Sequence, residues 1–210
     1  MGELKNKYKY GVFLLLFSIG HSVVYFLIQK LVTKWHYINV PLDYEIPFVK
    51  AFVIPYVLWY VYVVITFAYL LIVSTEEFKR ATLLFLLGDI ISLMIYIIYP
   101  TAINFRPETV DGRGLLAEVV RIIYSSDKPV NVCPSLHCYV SLVMNLAILK
   151  SSGIKGRKAI IIKTMSCILA FTICLSTLFI KQHSVIDFVV ALIMVVCLYP
   201  FAYLRKKGNC

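Results

Sequence analysis

Charge is scarce in this sequence. Asp, Glu, Lys and Arg make up 15% of its 210 residues, where a soluble domain carries about 25%. That deficit argues against an ordinary soluble fold, and so against reading the net charge of +10 as a nucleic-acid footprint. Cysteine is sparse and scattered, at 133, 138, 167, 174, 197 and 210. Only Cys133 and Cys138 lie close together, and their spacing fits no common zinc pattern. They read as small apolar residues in or near helices. A convincing carboxylate cluster is missing too. There is no internal repeat, no low-complexity tract and no room for a second domain, which leaves a single membrane domain over 1–210.

What the chain has in abundance is apolar length. Hydrophobic residues reach 60%, with a mean hydropathy of +0.84. A bilayer core of roughly 30 Å needs about 20 apolar residues per helix. Six segments approach that, at about 8–31, 51–73, 83–99, 135–149, 159–179 and 184–204. Backbone groups in lipid must be satisfied within each segment, so helices are expected. The predicted fold is all-α: a polytopic integral membrane protein with six transmembrane helices in one bundle. Lys5, Lys7 and Lys9 precede the first run like the start of a signal peptide. No small-residue cleavage site follows, and the run reads as an uncleaved span. The segment 35–47 is expected along an interface, and the gap 100–134 as an external loop.

The basic residues then orient the chain. With both termini cytoplasmic and six alternating spans, the cytoplasmic pieces hold thirteen Lys or Arg against three acidic residues. The external pieces hold eight against seven, and Asp89 stays inside span three. The positive-inside rule favours this orientation strongly. It brings Arg106, the Ser135–His137 turn and His183 to one membrane face, the extracytoplasmic one.

Three clusters on that face carry chemistry. His183 and Asp187 are four residues apart and share a helix face. An aspartate at the edge of an apolar span needs a partner. Bonded to one imidazole nitrogen, it would leave the other as nucleophile or base. A structural pair at a helix start is the plainer alternative. In Cys133-Pro134-Ser135-Leu136-His137, Pro and Ser before an apolar run mark a helix start. Such a first turn binds phosphate, and His137 within it could donate a proton. An ordinary capped helix is the alternative there. Arg106, followed by Pro107, could clamp two phosphate oxygens, or simply be a solvated loop arginine. Lys181, two residues before His183, adds positive charge. Asp89 beside Gly88 falls outside this set.

In order and register, Arg106-Pro107, Pro134-Ser135-Leu136-His137 and Ser176…His183-Ser184-Val185-Ile186-Asp187 resemble the three-part signature of the type 2 phosphatidic acid phosphatase superfamily. That signature reads K-x6-R-P, P-S-G-H and S-R-x5-H-x3-D, and the resemblance covers nearly the whole chain. It implies a lipid phosphate or diphosphate phosphatase of the cell membrane that is metal-independent and needs no cofactor, which agrees with the lack of a carboxylate cluster. His183 would form a phosphohistidine, Asp187 would orient it, and His137 would protonate the leaving group and then activate water. Arg106 and Ser135 would hold the phosphoryl oxygens. Three departures stand out. Tyr99 replaces the signature's Lys, Thr177 replaces its Arg and Leu136 replaces its Gly. Lys181 is the candidate replacement for the missing charge.

The Pro-Ser-Leu-His form resembles the branch of inositol phosphorylceramide synthase-like bacterial proteins, in which the phosphoryl-linked group passes to an alcohol. A lipid phosphotransferase is therefore the second expectation, and a non-catalytic six-span protein or transporter the third. The implied partners are the bilayer and a membrane lipid phosphate. Oligomeric state is not legible, since no small-residue helix face stands out.

Overall fold

In a computed structural model the chain is all-α, and its apolar helices support a multi-pass membrane protein. Residues 2–204 are described, with backbone alone for 2–6. Met1 and the basic segment 205–210 lie outside them. The helices are α1 (Gly2–Leu31), α2 (Pro41–Glu45), α3 (Val53–Val73), α4 (Thr75–Ile98), α5 (Leu115–Ser126), α6 (Leu136–Lys150), α7 (Arg157–Phe179) and α8 (Val185–Tyr199). A 3-10 turn (Lys50–Phe52) leads into α3, and a π-helical turn (Pro200–Leu204) extends α8. Five of the helices, α1, α3, α4, α7 and α8 with their extensions, are long and apolar enough to cross a membrane. The remaining apolar helix, α6, has 15 residues.

The expected boundaries shift at α4. The segment 74–80, expected as a loop, is the first turns of this helix. Ser74 caps it by accepting from the Glu77 amide at 3.3 Å, and Glu76 and Glu77 complement the positive end of its dipole. The expected external loop 100–134 also contains a helix, α5, and a two-residue parallel pairing of His36–Tyr37 (β1) with Thr101–Ala102 (β2).

The shortest apolar helix is the central one. α6 packs against α3, α4, α7 and α8, and buries Cys138, Tyr139, Val143 and Met144 completely. Water exclusion does not drive helix association in lipid, so close packing and interhelical polar contacts must carry it. Tyr62 of α3 bonds Ser166 of α7 at 2.7 Å, and Ser166 donates to Asn145 of α6 at 2.9 Å. Tyr139 of α6 donates to the Leu84 carbonyl of α4 at 2.5 Å. Contacts of this kind contribute about 0.6 kcal/mol on average. Asp89 finds its partner on α1, where His21 Nδ1 stands 2.6 Å from its Oδ2, outside hydrogen-bond angles.

Tyr139 also explains Gly88. A Cβ at that position would lie 2.0 Å from the tyrosine's Cζ, so α4 and α6 can approach only over a glycine. Gly88→Ala is expected to destabilise the bundle by about 1–3 kcal/mol through overpacking. A melting curve in detergent would read this as a lowered Tm. Adding Tyr139→Leu should restore part of it, and an unchanged Tm in the single mutant would contradict the packing.

A second, smaller cluster closes the polar end. Val53 and Tyr56 of α3, Val110, Ala117 and Val120 around α5, and Ile180 after α7 pack together. This cluster fixes α5 against the start of α3 and the α7–α8 turn, where the candidate residues lie.

Candidate functional site

The loop before α6 is built first. Asn131 donates its amide to the Thr101 carbonyl at 2.6 Å, and Ile103 donates to Pro129 at 3.1 Å. The Cys133 amide is held by Thr101 Oγ1 at 3.0 Å. Asn131 sits at φ +58°, a left-handed conformation that asparagine tolerates better than most residues. Tyr96 of α4 then donates to the Pro134 carbonyl at 2.6 Å. Ser135 follows as the N-cap of α6, accepting from the Cys138 amide at 3.3 Å. Its own amide donates to the Asp187 carbonyl at 3.3 Å, joining the starts of α6 and α8.

The α7–α8 turn wraps onto a single carbonyl. Gln182 and His183 donate their amides to Thr177 O at 2.9 and 3.1 Å. Ser184 caps α8, and Asp187 reaches back to accept from the Ser184 amide at 2.8 Å, a reciprocal capping box. The same Oδ2 lies 3.1 Å from His183 Nδ1, and the Val132 carbonyl lies 2.9 Å from that nitrogen. Both partners are acceptors. Nδ1 must therefore carry the proton, which leaves the Nε2 lone pair free. Burial disfavours the His183 cation, but the bond and charge of Asp187 outweigh it and hold the imidazole above its ordinary value.

His137, one turn into α6, is clamped by aromatic rings of α3. Its imidazole stacks on Tyr56 at 4.3 Å and meets Trp59 at 4.5 Å, with the His183 ring 6.1 Å away between centroids. Arg106 arrives from the opposite side. Its guanidinium lies over Tyr124 of α5 at 4.4 Å, donates to the Asp127 carbonyl at 2.8 Å and donates to Gln182 Oε1. Burial lowers its pKa, and nearby Asp127 opposes the shift.

The structure thus brings His183, Asp187, Ser135, His137 and Arg106 to one end of the bundle. Lys181 belongs to another structure. Its ammonium donates to the Asp43 carbonyl at 2.5 Å and to the Ile46 carbonyl, tying α2 to the α7–α8 turn. Lys181 itself sits at φ +55°, a position after a helix that usually favours glycine. Among the described residues its charge is spent on carbonyls, which differs from the phosphate-binding role expected of it. Tyr99 is half-exposed and stacks on His36 at 4.3 Å. Thr177 is fully buried, with its hydroxyl on the Cys174 carbonyl. Neither is a cation substitute.

Three residues escaped the sequence reading. Asp43 is buried, and its carboxylate accepts from the Val40 amide at 2.8 Å, Ser184 Oγ at 2.6 Å and the Val185 amide at 2.9 Å. It is a second carboxylate at the start of α8, from 141 residues away. No local pattern announces it. Gln182 and Asn131 are the others, both buried amides. Adjacency to His183 and to the Pro-Ser turn was their only signal.

Several buried polar atoms at this end have no partner among the described residues: Arg106 Nε, Asn131 Nδ2 and Oδ1, His137 Nε2, Gln182 Nε2 and Asp187 Oδ1. Leaving a buried polar group unpaired costs about 1–3 kcal/mol, so a cluster of them needs a reason. Most of the nitrogens can donate. Together they suit an oxyanion. Cys133 is no rival nucleophile, because burial and then the Asp187 carboxylate push its thiol up to about 12. No protein-family profile, curated protein or solved structure matches the chain.

Proposed function

We propose that the chain is a lipid phosphate phosphatase that works through a phosphohistidine on His183. The observation that carries this reading is the set of unpaired buried donors at the same end of the bundle as an imidazole whose tautomer is fixed. Arg106 Nε–H, Gln182 Nε2 and Asn131 Nδ2 would hold the phosphoryl oxygens, with the first turn of α6 adding its dipole. His183 Nε2 attacks phosphorus as the phosphorus–oxygen bond to the lipid alcohol breaks, and His137 protonates the departing oxygen. His137 then takes a proton from water, which attacks phosphorus and releases phosphate and free His183. A separation of 6.1 Å between the two rings leaves room for one tetrahedral group.

The proposed topology has six spans, α1, α3, α4, α6, α7 and α8, with both termini cytoplasmic. The charge asymmetry of the loops supports it, and it turns the site to the extracytoplasmic side. A 15-residue α6 rises about 22 Å, which serves as a span if its Ser135 end is recessed below the membrane surface. That depth favours a second reading, phosphoryl transfer to a lipid alcohol, because His183 is only 8% exposed and water reaches it poorly.

Purified protein in detergent should release inorganic phosphate from phosphatidic acid, phosphatidylglycerophosphate or a polyprenyl diphosphate. Release only on adding an alcohol acceptor would select the transferase. Neither activity, on any of these lipids, would sink both readings and leave a non-catalytic protein.

The pH profile follows from His183. Its neutral form is the nucleophile and its pKa is raised, so kcat/KM should climb as pH rises through a value above about 6.5. In Asp187→Asn the opposing carboxylate is gone and burial remains. The acid limb should then move to lower pH, while the plateau rate falls about 100-fold. A limb that stays in place would assign it to another group.

A further inference from the structure

Helix α1 is the least buried of the five long apolar helices, yet it carries a polar stripe facing the bundle. His21, Tyr25 and Gln29 recur every four residues and so share one face. His21 meets Asp89, as described. Tyr25 donates its hydroxyl to Asp127 Oδ1 at 2.8 Å, and Gln29 Nε2 donates to the same oxygen at 3.1 Å. Asp127 is the residue that ends α5. Its carbonyl is the one that accepts from Arg106 Nη1. The ring of Tyr25 also meets Tyr96 edge-on at 6.1 Å, and Tyr96 holds the Pro134 carbonyl beside Ser135.

Arginine has rotamer entropy to lose when its fork is fixed. Tyr124 supplies a face and Gln182 one acceptor, but the acceptor on the other side is a backbone carbonyl at a helix end. Such an end frays unless its last residue is tied down. The ties come from α1, about 100 residues upstream. Asp127 also places a carboxylate near the guanidinium, which favours its charged form in a buried setting.

We propose that Asp127, fastened to α1 by Tyr25 and Gln29, is a positioning residue that aims Arg106 at the phosphoryl group. Helix α1 is then part of the anion-binding apparatus and not merely a peripheral span. The inference rests on the reading of Arg106 as a phosphate ligand.

The test uses full-length protein in nanodiscs, with Tyr25→Phe, Asp127→Ala, Asp127→Asn and Arg106→Ala. Two quantities are read: KM and kcat on the preferred lipid phosphate, and the Kd for inorganic phosphate. Tyr25→Phe should weaken phosphate binding and raise KM about 3–10-fold, and Asp127→Ala about 10-fold or more. In both, kcat should change less than about 3-fold, because the histidines are untouched. Asp127→Asn, whose amide oxygen still accepts from Tyr25 and Gln29, should restore most of the affinity. A role confined to folding would instead lower Tm and kcat with no selective change in phosphate affinity, and that result overturns the proposal.

The outcomes also separate this inference from the functional reading. Hydrolysis by the wild type with Tyr25→Phe and Asp127→Ala unaffected removes the positioning role and keeps the phosphatase. No hydrolysis, but phosphate binding that Arg106→Ala abolishes and Tyr25→Phe weakens, keeps the positioning role and removes the phosphatase. No phosphate binding by the wild type overturns both.

Discussion

His183→Ala is expected to lower turnover at least about 10³-fold, to the level of background hydrolysis. The prediction follows from the arrangement of one imidazole. Nδ1 is committed to Asp187 and the Val132 carbonyl, so the only nitrogen of His183 able to attack is Nε2. Labelled substrate should leave a phosphoenzyme on the wild type that is acid-labile and alkali-stable, and none on this variant. His137→Ala separates the two half-reactions. With an aryl phosphate, whose leaving group needs no proton, the phosphoenzyme should form and then persist, because no base activates water. Full activity in His183→Ala would remove the nucleophile from the proposal. A His137→Ala enzyme that clears its phosphoenzyme at the normal rate would remove the base.

Asp43→Ala is expected to have the next largest effect, on stability and activity together. The carboxylate takes two donors at the start of α8 and one at the start of α2, and its backbone carbonyl takes the Lys181 ammonium. Breaking a buried charged constellation by removing one member costs about 3–5 kcal/mol, which would show as a steep fall in Tm. Activity should fall with it, since Ser184 lies next to His183. Asp43→Asn keeps two acceptor-compatible contacts and should lose less. Lys181→Ala discriminates between two roles for that cation. A positioning role predicts a lower Tm and a lower kcat with KM nearly unchanged. A phosphate-binding role predicts the reverse, a raised KM at unchanged Tm. Burial lowers the Lys181 pKa and Asp43 opposes this, as fits an ammonium held within the fold.

The long helices were legible because lipid imposes a single strong rule, about 20 apolar residues per span, and the chain obeys it. The start of α4 was misplaced for the same reason. Thr75–Arg80 is polar and fails a hydropathy reading, although Ser74, Glu76 and Glu77 form an ordinary helix-start pattern. α5 was missed because a 12-residue helix is too short to read as a span and lies inside a charged loop. Within the site, His183 with Asp187 and Ser135 with His137 were readable, because each pair lies within one helical turn. Asp43 was not. Its partners on α8 stand about 140 residues away, and a lone aspartate in a five-residue helix has no periodicity to betray it. The expectation for Lys181 rested on proximity along the chain, whereas the backbone at φ +55° turns the residue toward α2. In the proposed reading, the neutral amides of Gln182 and Asn131 take the place of the signature's cations absent at Tyr99 and Thr177, and no charge count would find them.

The brevity of α6 has a consequence for how the two products of the proposed reaction leave. With Lys150 at one interface, the other end of this helix stops about 8 Å short of the far one, so phosphorus–oxygen cleavage takes place below the headgroup layer. The lipid alcohol is then set free already within hydrocarbon, and diffuses away sideways without being lifted out of the bilayer. Orthophosphate has no such route. In the proposed reaction it would have to leave toward water, on the side where α2 and α5 pack near the α7–α8 turn. The proposed intermediate would also set the order, the oily product parting first while the mineral one stays bonded to His183 until water attacks.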